Sequence, residues 1–192
     1  LLRSGSLPTP INIIEERTVG PDLGADSIKS GTLSLIIGFL LVIIYMFYKY
    51  KAFGLIANIS LISNLIMLVG ILTLFEATLT LPGIAGIILT VGMAVDANVL
   101  IFERIREELR TEKSIIHAFD IGYTKSKITV LDANITTLIA AIILFFFGSG
   151  PVKGFAVTLA IGIITTLYSA FFIARHLSSW VVLRNKGENI RL

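Results

Sequence analysis

The sequence contains no cysteine and few charged side chains. None of its 192 residues is cysteine, so disulfide bonds and thiolate metal sites are excluded. Only 15% of the residues are charged, whereas 55% are hydrophobic and the mean hydropathy is +0.88. A soluble domain of this size keeps a larger polar share for its surface. The composition therefore predicts a chain that uses lipid as its solvent.

Motifs for nucleotide, metal or covalent chemistry are missing as well. The sequence has no P-loop, nucleophile elbow, His-Glu-x-x-His motif or dinucleotide fingerprint. His117 and His176 are isolated, without a partner at metal-ligand spacing. No basic stripe with interleaved aromatics is present, so nucleic acid is not an expected partner. We expect no enzymatic activity, no catalytic residue, no cofactor and no metal.

Long apolar segments dominate the rest of the sequence. Each has about the 20 residues that cross a hydrocarbon core about 30 Å thick, and helix is the only open-chain structure that lipid tolerates. We predict an all-α polytopic membrane protein, a bundle of five transmembrane helices with a cytosolic surface helix. The predicted bundle covers 31–175, with spans at 31–48, 54–75, 82–102, 126–148 and 152–175.

Three polar segments flank or interrupt the predicted spans. The stretch 103–125 repeats its apolar residues near the helical period, which predicts the surface helix, with a solvated helical hairpin loop as the alternative. Residues 1–30 contain a short β-type run and several Pro and Gly, which predicts the remnant of a soluble domain and the entry to the membrane; a plain polar tail is the alternative. Residues 176–192 are the predicted cytosolic tail. Because the sequence begins with Leu1, we expect a piece of a longer protein.

The basic residues predict the orientation. Five spans put 12 of the 16 Lys and Arg residues on one side of the membrane and 4 on the other. Positive charge accumulates on the cytosolic side. We therefore expect a multi-pass protein with its amino-terminal segment outside the cytosol and its carboxy-terminus inside.

Asp96 is the main candidate for function because it lies within a predicted span. A charged Asp at the centre of a span costs about 2.5–3.5 kcal/mol on insertion scales, and such residues usually face the bundle interior or a wet cavity. We predict that Asp96 is proton-responsive. The alternative is a structural hydrogen bond between helices.

Asp132 is the second candidate. Asp96 and Asp132 each lie six residues from the predicted cytosolic end of their spans, which places both about 9 Å inside that boundary. Two carboxylates at one level tend to share a proton. Asp132 is therefore predicted to be proton-responsive, with a helix-start residue near the interface as the alternative.

Polar and small residues complete the candidate set. Polar side chains within helices serve mainly as interhelical hydrogen-bond partners, and small residues let helices approach closely. A stripe of small residues in the third span runs toward Asp96, and a second stripe marks the fifth span. The predicted supporting polar residues are Asn98, Asn134 and Thr136, and the predicted helix-contact residues are Gly86, Gly154 and Gly162.

Three long motifs resemble the SecD/SecF family of protein-export membrane subunits, which belongs to the RND superfamily. The segment 92–109, GMAVDANVLIFERIREEL, resembles the fourth-span motif of the SecD branch. The segment 129–163, TVLDANITTLIAAIILFFFGSGPVKGFAVTLAIGI, resembles its last two spans. The segment 2–31, LRSGSLPTPINIIEERTVGPDLGADSIKSG, resembles the entry to its second span.

The resemblance implies the carboxy-terminal, five-span part of a six-span subunit, an RND-type half, in the bacterial cytoplasmic (inner) membrane. It implies work in the Sec pathway driven by the proton motive force, with SecF, the SecYEG channel, preprotein and membrane lipid as partners. The family's proton-responsive aspartate matches Asp96, whereas Asp132 rests on the depth argument and a recurrent family motif. Two alternatives stay open: a proton-coupled RND-type exporter of lipid or small molecules, and a non-transporting scaffold for the Sec channel.

Overall fold

A computed structural model describes residues 21–111 and 114–184, and this part of the chain is entirely helical apart from short turns. Four of its helical segments are long and apolar enough to cross a membrane: Ala25–Leu74, Leu81–Glu108, Ile115–Phe147 and Gly150–Arg184. The helices are α1 (Pro21–Leu74), α2 (Leu81–Glu108), α3 (Ile115–Phe147), α4 (Gly150–Tyr168) and α5 (Arg175–Arg184), with a π-helical turn at Ser169–Ala174 between α4 and α5. The predicted helical membrane bundle is thus confirmed in its class.

Helix α1 reverses direction at Lys51. This residue has φ 49° and ψ −114°, a conformation that glycine usually takes in tight turns. The Asn58 Nδ2 donates a hydrogen bond to the Ile43 carbonyl oxygen at 3.1 Å, although a straight helix would separate these residues by about 22 Å. Gly54 lies so close to the Met46 carbonyl that an added Cβ would collide with it. Helix α1 therefore consists of two antiparallel arms, which fall on the predicted spans 31–48 and 54–75.

The next helices begin and end where their sequences favour it. The Thr80 hydroxyl caps α2 by accepting a hydrogen bond from the Gly83 N–H at 3.2 Å. Both α2 and α4 have proline in their first turn, where a missing N–H costs nothing. Helix α3 ends at Phe147, with Gly148 as its capping residue, and only Gly148 and Ser149 separate it from α4. Such a short connection makes α3 and α4 antiparallel neighbours.

The predicted surface helix does not form as a separate element over 103–125. Residues 103–108 continue α2, and residues 115–125 begin α3. Within the polar extension of α2, Arg106 pairs with Glu103 at 2.9 Å, and Arg104 pairs with Glu108 at 3.0 Å. Such pairs one turn apart stabilise a helix beyond its apolar part. The described residues of this segment fit the alternative, a helical hairpin.

The terminal segments are described only in part. Residues 21–30, predicted to belong to a domain remnant, form the first turns of α1, and residues 1–20 lie outside the described range. Residues 176–184 of the predicted cytosolic tail form most of α5, which continues the last long helix. Residues 185–192 lie outside the described range.

Helix α2 is the centre of the bundle, because it packs against α1, α3 and α4. The largest buried side chains gather at the end of the bundle near Lys51. Phe102 of α2 lies there between Tyr50 and Phe53 of α1, with ring centroids 5.8 and 5.3 Å away. At the π-helical turn, the Ser169 carbonyl accepts a hydrogen bond from the Ser60 hydroxyl at 3.0 Å. Helix α2 as a whole is therefore held in place by three neighbouring helices.

Candidate functional site

Asp96 lies on the outward face of α2 and is exposed. This corrects the expectation that it faces the interior of the bundle formed by this chain. Its neighbours one turn away along the helix, Gly92 and Leu100, are exposed too, as is Ile88 one turn further. We call these residues the Asp96 stripe: Ile88, Gly92, Asp96 and Leu100. The Asp96 carboxylate is the single charged group of this otherwise apolar stripe.

The small residues of α2 explain why Asp96 points outward. Gly86, Thr90 and Ala94 are buried, and Gly86 and Thr90 contact α4. A step of four residues from Ala94 leads to Asn98, not to Asp96. The buried face therefore continues through Asn98, which is 1% exposed, while Asp96 falls on the opposite side of α2.

A groove between α2 and α3 begins at Asp96. Its cavity measures about 220 Å³. The polar residues in its lining are Asp96, Asn134 and Thr137, and the others are apolar. The complete lining is Met93, Asp96, Ala97, Leu100, Val130, Ala133, Asn134 and Thr137. The groove thus brings the aspartate of one Asp-Ala-Asn triplet to the asparagine of the other.

Asp132 does not line this groove. It is exposed, and it falls about 150° around α3 from the middle of the face that lines the groove. Neither Asp96 nor Asp132 makes a side-chain hydrogen bond or ion pair with another described residue. Similar depth along the helices, which sequence arithmetic provides, does not determine the direction of a side chain around the helix. The two carboxylates are not brought into one groove by this chain alone.

The three supporting residues have different surroundings. Asn98 and Asn134 are 1% and 7% exposed, and each Nδ2 donates to the carbonyl oxygen four residues earlier, at 3.0 and 2.8 Å. The Oδ1 atom of each has no hydrogen-bond partner among the described residues. Thr136 is exposed and donates to the Asp132 carbonyl oxygen at 2.8 Å. Of the three, only Asn134 shares the groove with Asp96.

The three predicted contact glycines lie between α4 and α2. Gly86 and Gly162 lie where the two helices pack, and Gly154 faces Thr80, the residue that caps α2. A Cβ added to Gly162 would collide with the Thr90 hydroxyl, and one added to Gly154 would lie 2.6 Å from the Thr80 hydroxyl. A Cβ on Gly86 would lie 3.3 Å from Thr158. The absence of side chains at these glycines allows the helices to approach closely.

A network of charged side chains lies beyond the groove, at the end of the bundle near Lys51. The Tyr50 hydroxyl donates to Glu103 Oε1 at 2.8 Å, and Lys125 of α3 pairs with Glu108 of α2 at 2.9 Å. A second cavity of about 470 Å³ there shares Leu100 with the groove. Sequence reasoning missed this network, because its pairs join residues 17 and 53 positions apart. The only local signal was the Glu and Arg spacing of one helical turn from 103 to 108.

Comparisons with known proteins agree with the motifs. The family model "Protein export membrane protein SecD/SecF, C-terminal" matches residues 5–184. A Magnetococcus marinus protein named protein translocase subunit SecD is 56% identical over the whole chain, which covers 36% of that protein. Its namesake from Desulfurispirillum indicum is 61% identical over 91% of the chain, covering 34% of that protein.

A solved structure shares the fold. The crystal structure of SecDF, described as a translocon-associated membrane protein from a Thermus species, has a TM-score of 0.85 and 44% identity. The match covers 88% of this chain and 24% of that one. The chain spans about a third of the length of the curated relatives it matches. Since the family model covers nearly all of its residues, the chain belongs to the SecD/SecF family of protein-export membrane proteins.

Proposed function

We propose that this chain is the membrane part of a Sec protein-export subunit that uses the proton motive force to promote preprotein translocation across the bacterial cytoplasmic membrane. Its relatives are named protein translocase subunits, and its motifs extend over their C-terminal third. The observation that carries the proton-coupled part is Asp96, a carboxylate on the apolar outer face of the central helix. The proposal takes Asp96 as the proton-responsive group.

The path of the chain supports the proposal of five membrane crossings. The two arms of α1 are antiparallel, and each has the length of a span. The turn at Lys51 lies at the same end of the bundle as the pairs Tyr50–Glu103 and Glu108–Lys125. These are the residues that the charge count assigns to the cytosol. The first arm of α1 then begins on the periplasmic side.

The Asp96 stripe needs a cover other than lipid. A carboxylate facing acyl chains costs about 2.5–3.5 kcal/mol, and no described side chain of this chain pairs with Asp96. Intramembrane charges face protein or water in functional sites. The cover we propose is the SecF half of the complex, next to the SecYEG channel. We expect the partner surface that faces Asp96 to carry polar or basic groups at the same depth in the membrane.

The proposed cycle couples a proton to helix packing. Asp96 takes up a proton from the periplasmic side and releases it to the cytosol, and the two protonation states favour different packings of the helices. The repacking moves a periplasmic domain connected through the amino-terminal end of α1, which hinders the return of emerging preprotein. Each charge that crosses the membrane supplies about 2.3 kcal/mol per 100 mV. This energy shifts a two-state ratio by roughly tenfold or more.

The decisive test is Asp96→Asn in the natural full-length protein. We expect normal insertion and assembly but loss of the proton-driven part of preprotein export in inverted membrane vesicles. Asp132→Asn is the matched comparison, because Asp132 occupies the same place in the second Asp-Ala-Asn triplet but lies outside the groove. Wild-type export by the Asp96 variant contradicts the proposal. Loss of export in the Asp132 variant as well makes Asp132 a second proton-responsive residue.

Each of the two alternatives has one observation in its favour. A scaffold for the Sec channel needs only the apolar Asp96 stripe, and it predicts that Asp96→Asn is silent while a bulky residue at Gly162 prevents assembly.

An exporter of lipid or small molecules needs a substrate pocket. A cavity of about 620 Å³ lies at the opposite end from Lys51, between α1, α2 and α4, with Glu76 and Lys153 in its lining. Export of a lipid or small molecule by the reconstituted protein, without preprotein, favours the exporter.

A further inference from the structure

The groove at Asp96 contains one amide group that can respond to the protonation state of the carboxyl. Asp96 and Asn134 line it from α2 and α3, and Thr137 is the other polar residue in the lining. Asn134 is 7% exposed, so its side chain has little access to solvent. Its position makes it the buried polar neighbour of the Asp96 groove.

Asn134 has a free acceptor, and one of the two N–H donors of its amide is in use. Its Nδ2 donates to the Val130 carbonyl oxygen at 2.8 Å, whereas its Oδ1 has no partner among the described residues. A buried acceptor without a partner costs free energy. An ionised carboxylate can only accept hydrogen bonds, whereas a neutral carboxylic acid can also donate one. The free oxygen of Asn134 therefore suits only the protonated form of Asp96.

We propose that Asn134 is a positioning residue that accepts a hydrogen bond from protonated Asp96. The proton stays on the Asp96 carboxyl group, and its O–H donates to Asn134 Oδ1 across the groove. Ionisation removes this O–H donor, and the hydrogen bond to Asn134 Oδ1 is lost. This inference rests on the proposed function, because it names the residue that converts the charge state of Asp96 into helix packing.

Other charged groups are arranged so that Asp96 controls this link. Among the described residues, Asp96 is the one titratable side chain in the lining of the groove, and neither α1 nor α4 contributes to that lining. Asp132 lies on another face of α3. The nearest charged groups along the α2–α3 seam line the next cavity, beyond Leu100: Glu103, Arg104, Glu107 and Lys125. There, Glu108 and Arg104 of α2 and Lys125 of α3 are already paired with one another.

Infrared difference spectroscopy of the reconstituted full-length protein tests the link. The protonated Asp96 carboxyl is identified as the carbonyl stretching band that appears on acidification and is missing in Asp96→Asn. A carboxylic acid that donates a hydrogen bond absorbs at lower frequency than one that does not. We expect Asn134→Val to raise the frequency of this band. Threonine has the shape of valine but carries an acceptor oxygen, so Asn134→Thr should return the band to its lower frequency.

Asn98→Val is the matched control. Asn98 has the same triplet position, the same bond from Nδ2 to the carbonyl four residues earlier and the same free Oδ1, but it does not line the groove. We expect it to leave the band unchanged. The inference is overturned if Asn134→Val leaves the band in place, if Asn98→Val or Thr137→Val moves it equally, or if no Asp96 band appears. Loss of export in Asp96→Asn together with an unmoved band in Asn134→Val rejects the inference alone, whereas normal export in Asp96→Asn rejects the proposed function.

Discussion

The two faces of α2 differ in side-chain size, burial and charge. The face toward α4 consists of small buried residues, of which Gly86 and Thr90 are in direct contact with that helix. The face of the Asp96 stripe carries larger aliphatic residues around a carboxylate, and a Cβ added to Gly92 would meet nothing within 4 Å. The first face is packed against other helices of this chain, and the second face is exposed on the surface of the bundle. We call them the packed face and the open face.

The comparison separates what holds the fold from what we propose for function. The packed face needs no polar chemistry between helices, because the Thr90 hydroxyl donates to the Gly86 carbonyl of its own helix at 2.8 Å. The open face offers the one titratable group of the groove. Stability and proton response should therefore be changed by different substitutions, even though both faces belong to one helix.

The largest expected effect on stability is at the packed face. Gly162→Leu would force a side chain into Thr90, which is β-branched and stiff in a helix. Overpacking of this kind costs about 1–3 kcal/mol. Thermal unfolding in detergent should show a clear fall in the midpoint. Gly92→Leu is the matched control on the open face, and an equal fall there would remove the distinction between the faces.

The next effect concerns the cover of the open face. Gly92→Trp adds a bulky group to the Asp96 stripe without touching this chain, so we expect normal thermal stability but a several-fold loss of copurified SecF, the proposed partner. Gly70→Trp is the control, because Gly70 of α1 is also exposed with nothing within 4 Å of an added Cβ. Equal retention of the partner by both variants would show that the stripe is not the docking surface.

The sequence predicted the packed face better than the open one. Small residues spaced four apart predicted a close contact, and Gly154 and Gly162 of that stripe lie where two helices meet. Length and hydropathy located the long apolar helices. The expectation that Asp96 faces the interior of this bundle was wrong, because a helix with apolar residues on every side gives little indication of which stripe packs inward.

The sequence also did not predict which residues of neighbouring helices face each other. The depths of Asp96 and Asp132 could be calculated from 1.5 Å per residue, but their directions depend on the rotation of each helix in the bundle. The reversal at Lys51 was predicted only as a gap between two spans. Its backbone conformation has positive φ at a residue that is not glycine, so tertiary contacts, not local preference, hold it.

A smaller effect is expected where α2 leaves the bundle. Glu108 is mostly buried and pairs with Arg104 at 3.0 Å and with Lys125 at 2.9 Å, so Glu108→Gln should lower the thermal midpoint modestly. High salt screens such pairs, so the difference from wild type should shrink in about 1 M salt. Glu107→Gln is the control, because Glu107 is more exposed and Arg104 is its only ion-pair partner among the described residues. A difference that does not respond to salt would mean that packing, not charge, explains the effect.

The smallest expected change in stability is at Asp96 itself. Asp96→Leu removes an exposed carboxylate without a described partner, so the free energy of unfolding in detergent should change by no more than about 0.5 kcal/mol. If Asp96 were instead one half of a buried ion pair, removing it would cost about 3–5 kcal/mol. A loss of that size would show that the carboxylate holds this bundle together and would join the two faces of α2 into one structural unit. Unchanged stability combined with lost export would mean that Asp96 is kept at this position for its response to protons, since the fold does not need it.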